Sequence, residues 1–132
     1  SKSCVEHKGS GTIIILDDEE SIRESICIIL KSLGYSVICT EKGEDTVAAL
    51  KKAVAVHKDI NGMILDLTIA GGMGGKEIVK DVKKVYPSLP VLVMRGYADD
   101  PIIARPVEYG FTASICKPFT KAELVEMLKK HL

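Results

Sequence analysis

Short apolar runs alternate with amphipathic segments five times along the 132 residues of this chain. The runs are rich in β-branched side chains, which is typical of strands buried on both faces of a parallel sheet. Strict alternation predicts an α/β domain in which right-handed crossovers build a doubly wound, five-stranded parallel sheet covered by five helices. The predicted strands are Thr12 to Leu16, Ser36 to Thr40, Gly62 to Leu65, Val91 to Met94 and Thr112 to Cys116. The predicted helices are Glu19 to Leu33, Glu44 to about Ala55, Lys76 to Tyr86, Asp99 to about Tyr109, and a last one that Thr120 caps and that runs to Leu132.

The composition limits the number of domains and the classes of partner. A chain of this length forms one domain with a substantial core, and 46% of its residues are hydrophobic. The 18 Lys and Arg residues balance 18 Asp and Glu residues, so the chain offers no net field for nucleic acid. No apolar run approaches the roughly 20 residues of a membrane span. We therefore predict a cytoplasmic protein without direct nucleic-acid binding or membrane insertion, with a tail or linker at residues 1–10 and a folded domain at residues 11–132.

Three of the four cysteines, Cys27, Cys39 and Cys116, lie within apolar runs. The four do not form a C-x-x-C pair and do not have the spacing of zinc ligands. We therefore predict that these three are buried free thiols.

Charged side chains stand where four of the predicted strands end. Asp17 and Asp18 follow the first strand, Asp66 ends the third, Arg95 follows the fourth and Lys117 follows the fifth. In a doubly wound sheet these ends meet at one edge, where ligands bind. Converging carboxylates repel one another unless a cation lies among them, and oxygen ligands favour Mg²⁺ or Mn²⁺ over zinc. Lys117 could pair with a carboxylate or with a phosphoryl group.

A purely structural explanation exists for parts of this cluster. Asp17 and Asp18 could cap the following helix and favour its dipole, and Lys117 could be an ordinary loop lysine. Asp66 is harder to explain in this way, because a lone carboxylate at the end of an apolar strand is costly to bury. The combination therefore favours a site.

Three segments carry charged residues of this cluster: Ile-Leu-Asp17-Asp18-Glu, Met-Ile-Leu-Asp66-Leu-Thr68 and Ile-Cys-Lys117-Pro118-Phe119. Taken together, they resemble the receiver domain of two-component response regulators, over about residues 11–132. The resemblance implies a flavodoxin-like fold in which Asp66 accepts a phosphoryl group from a histidine kinase or phosphotransfer domain. It further implies Mg²⁺ held by Asp18, Asp66 and the backbone carbonyl of Thr68, with Asp17 acting through a metal-bound water. Lys117 would pair with the phosphoryl group.

The resemblance also implies a role in signalling. The domain would be a switch that assists only its own phosphorylation and dephosphorylation, rather than an enzyme. An exposed fourth helix and fifth strand could pair two receivers. Since no length remains for an effector domain after the last helix, we expect the effect to be exerted through a partner, or through a further domain of a hybrid kinase or longer regulator.

Two positions depart from the family pattern. A Ser or Thr commonly follows the fourth strand, where this chain has Arg95, and an aromatic residue commonly marks the switch position of the fifth strand, where it has Ser114. Arg95 could clamp a phosphoryl group through two hydrogen bonds, or it could pair with Asp66 and hold the pocket in one state. We therefore expect altered switching at these two positions.

Two alternative functions remain open at this point. One is a pseudo-receiver, an interaction module in which Arg95 occupies the pocket and no phosphoryl group is carried. The other is a phosphohydrolase of the haloacid dehalogenase type. In that family a second Asp normally stands two residues after the nucleophile, where this chain has Thr68.

Overall fold

The computed structural model describes residues 9–66, 75–96 and 101–132. Its strands are β1 (Thr12–Leu16), β2 (Ser36–Thr40), β3 (Ile60–Asp66), β4 (Val91–Arg95) and β5 (Ala113–Cys116). Its helices are α1 (Glu20–Ser32), α2 (Gly43–Ala55), α3 (Gly75–Val85), α4 (Pro101–Ala104) and α5 (Lys121–His131), with a 3₁₀ turn at Pro106–Tyr109. The predicted alternation is therefore confirmed. Within this part of the chain, no helix combines the length and the apolarity that crossing a bilayer requires.

The five strands form one sheet in the order β2-β1-β3-β4-β5, and every neighbouring pair is parallel. The chain therefore winds outward from β1 in one direction and then returns past β1 to build the other half. This is the predicted doubly wound architecture. Leu16 lies opposite Leu65 in the register of β1 and β3, so the residues that follow them, Asp17 and Asp66, are neighbours at the carboxyl edge.

The hydrophobic core lies on both faces of the sheet. Ile13 and Ile15 of β1 pack on the face that α1 and α5 cover, whereas Ile14 and Leu16 pack on the face that α2 and α3 cover. All four are at most 1% exposed. Burying each such side chain contributes about 1.5–3 kcal/mol, which explains why the strand is apolar without alternation.

The predicted helix boundaries rest on two local signals that the structure confirms. Gly34, just beyond α1, has a φ of 101°, a left-handed conformation that favours glycine at a helix end. At the start of α5, the Glu123 N–H donates to Thr120 Oγ1 at 3.1 Å, and the Thr120 N–H donates to Glu123 Oε1 at 2.9 Å. This reciprocal capping box orients the helix that follows β5.

The fourth helix is shorter than predicted. The sequence pattern predicts one helix from Asp99 to about Tyr109, but α4 ends at Ala104 and a separate 3₁₀ turn begins at Pro106. Residues 99 and 100 lie outside the described residues. Arg105 has φ −138° and ψ 62°, outside the helical region, because a following proline disfavours that region. Pro106 also has no N–H to continue the helical hydrogen bonds.

The prediction that three cysteines are buried free thiols is wrong about their burial. Cys27, Cys39 and Cys116 are free thiols, but Cys39 is exposed and the other two are half-buried. The reason for Cys39 is that β2 lies at the edge of the sheet. Its first four residues are exposed or half-buried, and only the last, Thr40, is buried.

Candidate functional site

Three aspartates and Lys117 meet at the carboxyl edge of the sheet. Asp17 directly follows β1, Asp66 ends β3 and Lys117 directly follows β5. Lys117 Nζ lies 2.6 Å from Asp66 Oδ2 and 3.8 Å from Asp17 Oδ2. With Asp18 they form a compact cluster, since one carboxylate oxygen from each of the three aspartates lies within 4.8 Å of the others.

Burial dominates the electrostatics of this cluster. The side chain of Asp17 is 0% exposed and that of Asp66 is 1% exposed, whereas Asp18 is exposed. Burial raises the pKa of Asp17 from 3.8 to about 6, and the neighbouring Asp66 raises it as well. The Glu19 N–H, which donates to Asp17 Oδ1 at 2.9 Å, and Lys117 both act in the opposite direction. A positive charge added beside Asp17 would therefore be favourable.

The donor set fits a hard divalent cation. Asp17 Oδ2 is buried and has no hydrogen-bond partner among the described residues. A buried oxygen that lacks a hydrogen bond lowers the stability of the folded chain by about 1–3 kcal/mol. Asp17, Asp18 and Asp66 offer carboxylate oxygens, which are the ligands that Mg²⁺ and Mn²⁺ prefer. Thr68, whose carbonyl the family resemblance adds to this set, lies outside the described residues.

Arg95 and Ser114, the two expected switch positions, lie on neighbouring strands beside the cluster. Arg95 ends β4 and is half-buried, and its carbonyl accepts the Lys117 N–H at 2.8 Å. The Ser114 hydroxyl donates to the carbonyl of Ile103 at 2.6 Å. Ser114 therefore links the strand that precedes Lys117 to α4.

Arg23 of α1 also lies beside the site, and it was not found by considering strand ends. Its Nη1 donates to the carbonyl of Asp17 at 2.8 Å, and its Nη2 lies 3.3 Å from Glu41 Oε1. One feature of the sequence does indicate Arg23. A positive charge close to the N-terminus of a helix is unfavourable with the helix dipole, so a side chain such as Arg23 is expected to have an acceptor or an acidic partner nearby.

Comparisons with known proteins place the chain in a family. Residues 13–129 match the family model described as response regulator receiver domain. A putative NtrX-like response regulator of Rickettsia bellii is 33% identical over 119 residues, which cover 89% of this chain and 24% of that protein. The chain thus spans about a quarter of that relative's length.

Solved structures show the same architecture. The Vibrio cholerae chemotaxis protein CheY4 superposes with a TM-score of 0.80 at 25% identity, over 94% of this chain and 100% of that one. The receiver domain of the sensor histidine kinase PA1611 from Pseudomonas aeruginosa, solved with magnesium in its active-site cleft, superposes with a TM-score of 0.78 at 18% identity, over 93% and 98% of the two chains. The fold is therefore the expected flavodoxin-like receiver fold, and the chain belongs to the response regulator receiver domain family.

Proposed function

We propose that this domain is the phosphoacceptor of a two-component phosphorelay, with Asp66 receiving a phosphoryl group from the phosphohistidine of a histidine kinase or phosphotransfer domain. In this step a bond forms between a carboxylate oxygen of Asp66 and phosphorus, and the bond from phosphorus to the donor imidazole breaks. The observation that supports this best is the convergence of three aspartate oxygens within 4.8 Å of one another, with Lys117 Nζ 2.6 Å from Asp66.

The roles of the side chains follow from their charges and positions. Lys117 holds Asp66 in place before transfer and, being 16% exposed, offers its ammonium group to the phosphoryl oxygens afterwards. Asp17, Asp18 and Asp66, with the Thr68 carbonyl on the family resemblance, would hold Mg²⁺ or Mn²⁺. The ion would supply neutralisation of the charge on the phosphoryl oxygens. The magnesium in the PA1611 receiver supports the same class of ligand here.

A groove beside Lys117 gives the phosphoryl donor a surface on which to dock. Its volume is about 460 Å³, and its lining includes Ile22 and Ile26 of α1, Pro118 and Phe119. Lys117 itself lines the groove, so a helix seated there could present a histidine to the site. The groove is therefore the candidate docking surface for the donor.

We further propose that Ser114 and Arg95 set the output. Since the Ser114 hydroxyl holds the carbonyl of Ile103, a shift of β5 on phosphorylation would move α4 directly, without the aromatic residue that is common in the family. Arg95, at the end of β4, would respond to the same new charge. A second groove of about 710 Å³ borders Ile103, Ser114 and Met127, and it is the candidate surface for a downstream partner or a second receiver.

The test is to treat the chain with acetyl phosphate and Mg²⁺ and to measure the intact mass. We expect a gain of one phosphoryl group that requires the divalent cation and disappears in Asp66→Ala. Asp45→Asn, which changes an exposed aspartate in the first turn of α2, is the matched control and should still be phosphorylated.

Two outcomes would contradict the proposal. An adduct that survives in Asp66→Ala would place the acceptor elsewhere. A wild-type chain that gains no phosphoryl group would favour the pseudo-receiver alternative, in which the domain acts through its surface alone. If the adduct forms, its lifetime in Arg95→Thr tests the part assigned to Arg95.

A further inference from the structure

We propose that Arg23 is a positioning residue for the divalent cation site. It holds the main chain that carries two of the ligands, Asp17 and Asp18. This inference rests on the proposed function, because it assumes that these aspartates bind Mg²⁺ or Mn²⁺. Among the described residues, the Arg23 guanidinium group contacts the Asp17 carbonyl and Glu41, outside the carboxylate cluster.

The guanidinium group of Arg23 reaches back from α1 over the end of β1. Its side chain is only 14% exposed, and Nη1 donates to the carbonyl of Asp17 at 2.8 Å. Nη2 lies 3.3 Å from Glu41 Oε1, so one planar group joins the segment after β1 to the segment after β2. Guanidinium suits this position because its rigid fork of donors holds two partners at fixed angles.

The peptide around Asp17 is therefore held from both sides. The Asp17 N–H donates to the carbonyl of Thr40 at 3.1 Å, and the Asp17 carbonyl accepts from Arg23. This carbonyl belongs to the planar peptide that joins Asp17 to Asp18, so its orientation sets the direction in which Asp18 leaves the main chain. Asp18 is exposed, so surrounding side chains do not fix its position as they do for Asp17 and Asp66. The position of Asp18 therefore depends on the restraint on its backbone.

Arg23 differs from Lys117 in what happens when a cation enters. Lys117 Nζ contacts the carboxylates of Asp66 and Asp17, so a bound cation must share those oxygens with it. Arg23 contacts a main-chain carbonyl and a glutamate outside the cluster, and its hydrogen bond can therefore persist unchanged. Arg23 thus pre-organises the ligands without competing for them.

The experiment measures binding of Mg²⁺ to the unphosphorylated chain by titration calorimetry, with Mn²⁺ binding by electron paramagnetic resonance as a second readout. In Arg23→Met, which keeps the aliphatic stem and loses the donors, we expect the Kd to rise about tenfold. Arg23→Lys keeps a single donor for the Asp17 carbonyl, and we expect it to restore affinity to within about threefold of the wild type.

Two control variants separate positioning from general stability. Glu41→Gln removes the exposed ion pair and leaves the Asp17 hydrogen bond, so the Kd should stay within about twofold of the wild type. Val82→Ala removes part of a fully buried side chain of α3, on the face of the sheet opposite α1. It should lower the unfolding midpoint and leave the Kd unchanged.

The outcomes are distinguishable. Wild-type protein that binds no divalent cation would contradict the proposed function itself. Wild-type binding with an unchanged Kd in Arg23→Met, or an equal loss of affinity in Val82→Ala, would overturn the role of Arg23 alone. Should Arg23→Met fail to fold, Arg23→Gln decides, because its side chain is too short to reach the Asp17 carbonyl, and a Kd equal to that of the wild type would then overturn the role of Arg23.

Discussion

Lys117 Nζ lies 2.6 Å from Asp66 Oδ2, although 51 residues separate the two along the chain. The same ammonium group is 3.8 Å from Asp17 Oδ2, and both aspartates are almost fully buried. Lys117 therefore offsets the repulsion between two carboxylates that β1 and β3 bring together. The first prediction concerns the stability of the folded chain when the charge of Lys117 is removed.

Lys117→Met should lower the free energy of unfolding at pH 7.5 by about 3 kcal/mol in the absence of divalent cations, because it leaves buried carboxylates without their cation. Added Mg²⁺ should recover more stability in this variant than in the wild type. Urea unfolding followed by circular dichroism measures both effects. Lys129→Met is the control, since its pair with Glu126 at 3.4 Å is exposed and should contribute less than about 0.5 kcal/mol. Equal losses in the two variants would contradict the prediction.

The second prediction concerns pH and Asp17, whose pKa burial raises from 3.8 to about 6. Between these pH values the unfolded chain has lost the proton and the folded chain still holds it, so stability falls as the pH rises and stays lower above pH 6. Asp17→Asn keeps the shape and the acceptor for the Glu19 N–H, and it removes the charge.

Without divalent cations, Asp17→Asn should therefore be more stable than the wild type at pH 7.5, by on the order of 1 to 3 kcal/mol at about 1.4 kcal/mol per pKa unit. The difference should vanish near pH 4. Urea unfolding at a series of pH values measures it. A difference that stays constant across that range would mean that the charge of Asp17 is not its cause.

A third prediction addresses the hydrogen bond from Ser114 to the carbonyl of Ile103, at 2.6 Å. Ser114→Ala should cost about 1 kcal/mol of stability and speed hydrogen exchange at the Arg105 amide, whose donor bond to Pro101 closes α4. Ser25→Ala is the matched control, because that hydroxyl bonds to a backbone carbonyl on the exposed side of α1. Unchanged exchange at Arg105 would mean that Ser114 does not restrain α4.

The fourth prediction concerns the capping box of α5. Thr120→Ala should lower the free energy of unfolding by about 1 kcal/mol, because the Glu123 N–H loses its acceptor. Thr120→Ser retains that oxygen and should lose at most a few tenths of a kcal/mol. Thermal unfolding of the three proteins compares them, and a serine variant as unstable as the alanine variant would point to the methyl group instead of the cap.

The sequence sufficed to predict which aspartates meet, since this needed only the positions where the strands end. Asp17 and Asp66 follow apolar runs, and in a parallel sheet such ends share one edge whatever the detailed strand order. Lys117 could be placed by the same argument. The roles of these residues stay proposals, because proximity alone does not identify a ligand.

Other features depended on information that a single sequence does not carry. Arg23 donates to a main-chain carbonyl. Because every residue has such a carbonyl, the sequence does not indicate which residue accepts the hydrogen bond. The exposure of Cys39 follows from the place of β2 at the sheet edge, which only the strand order reveals. The break at Pro106 did have a signal in the proline itself, but apolar residues on both sides of it continued the helical spacing.

The central place of β3 has a consequence for folding. Asp66 stands on a strand that pairs with β1 on one side and β4 on the other, and Lys117 arrives only when β5 has joined β4. The charge cluster is thus assembled from stretches of chain that are distant before folding, and the unfolded chain has no counterpart to it. Any ion or group that binds the cluster therefore adds its binding free energy to the stability of the whole sheet. Occupancy of the carboxyl edge can then be followed as resistance to unfolding at the opposite, amino edge of the sheet.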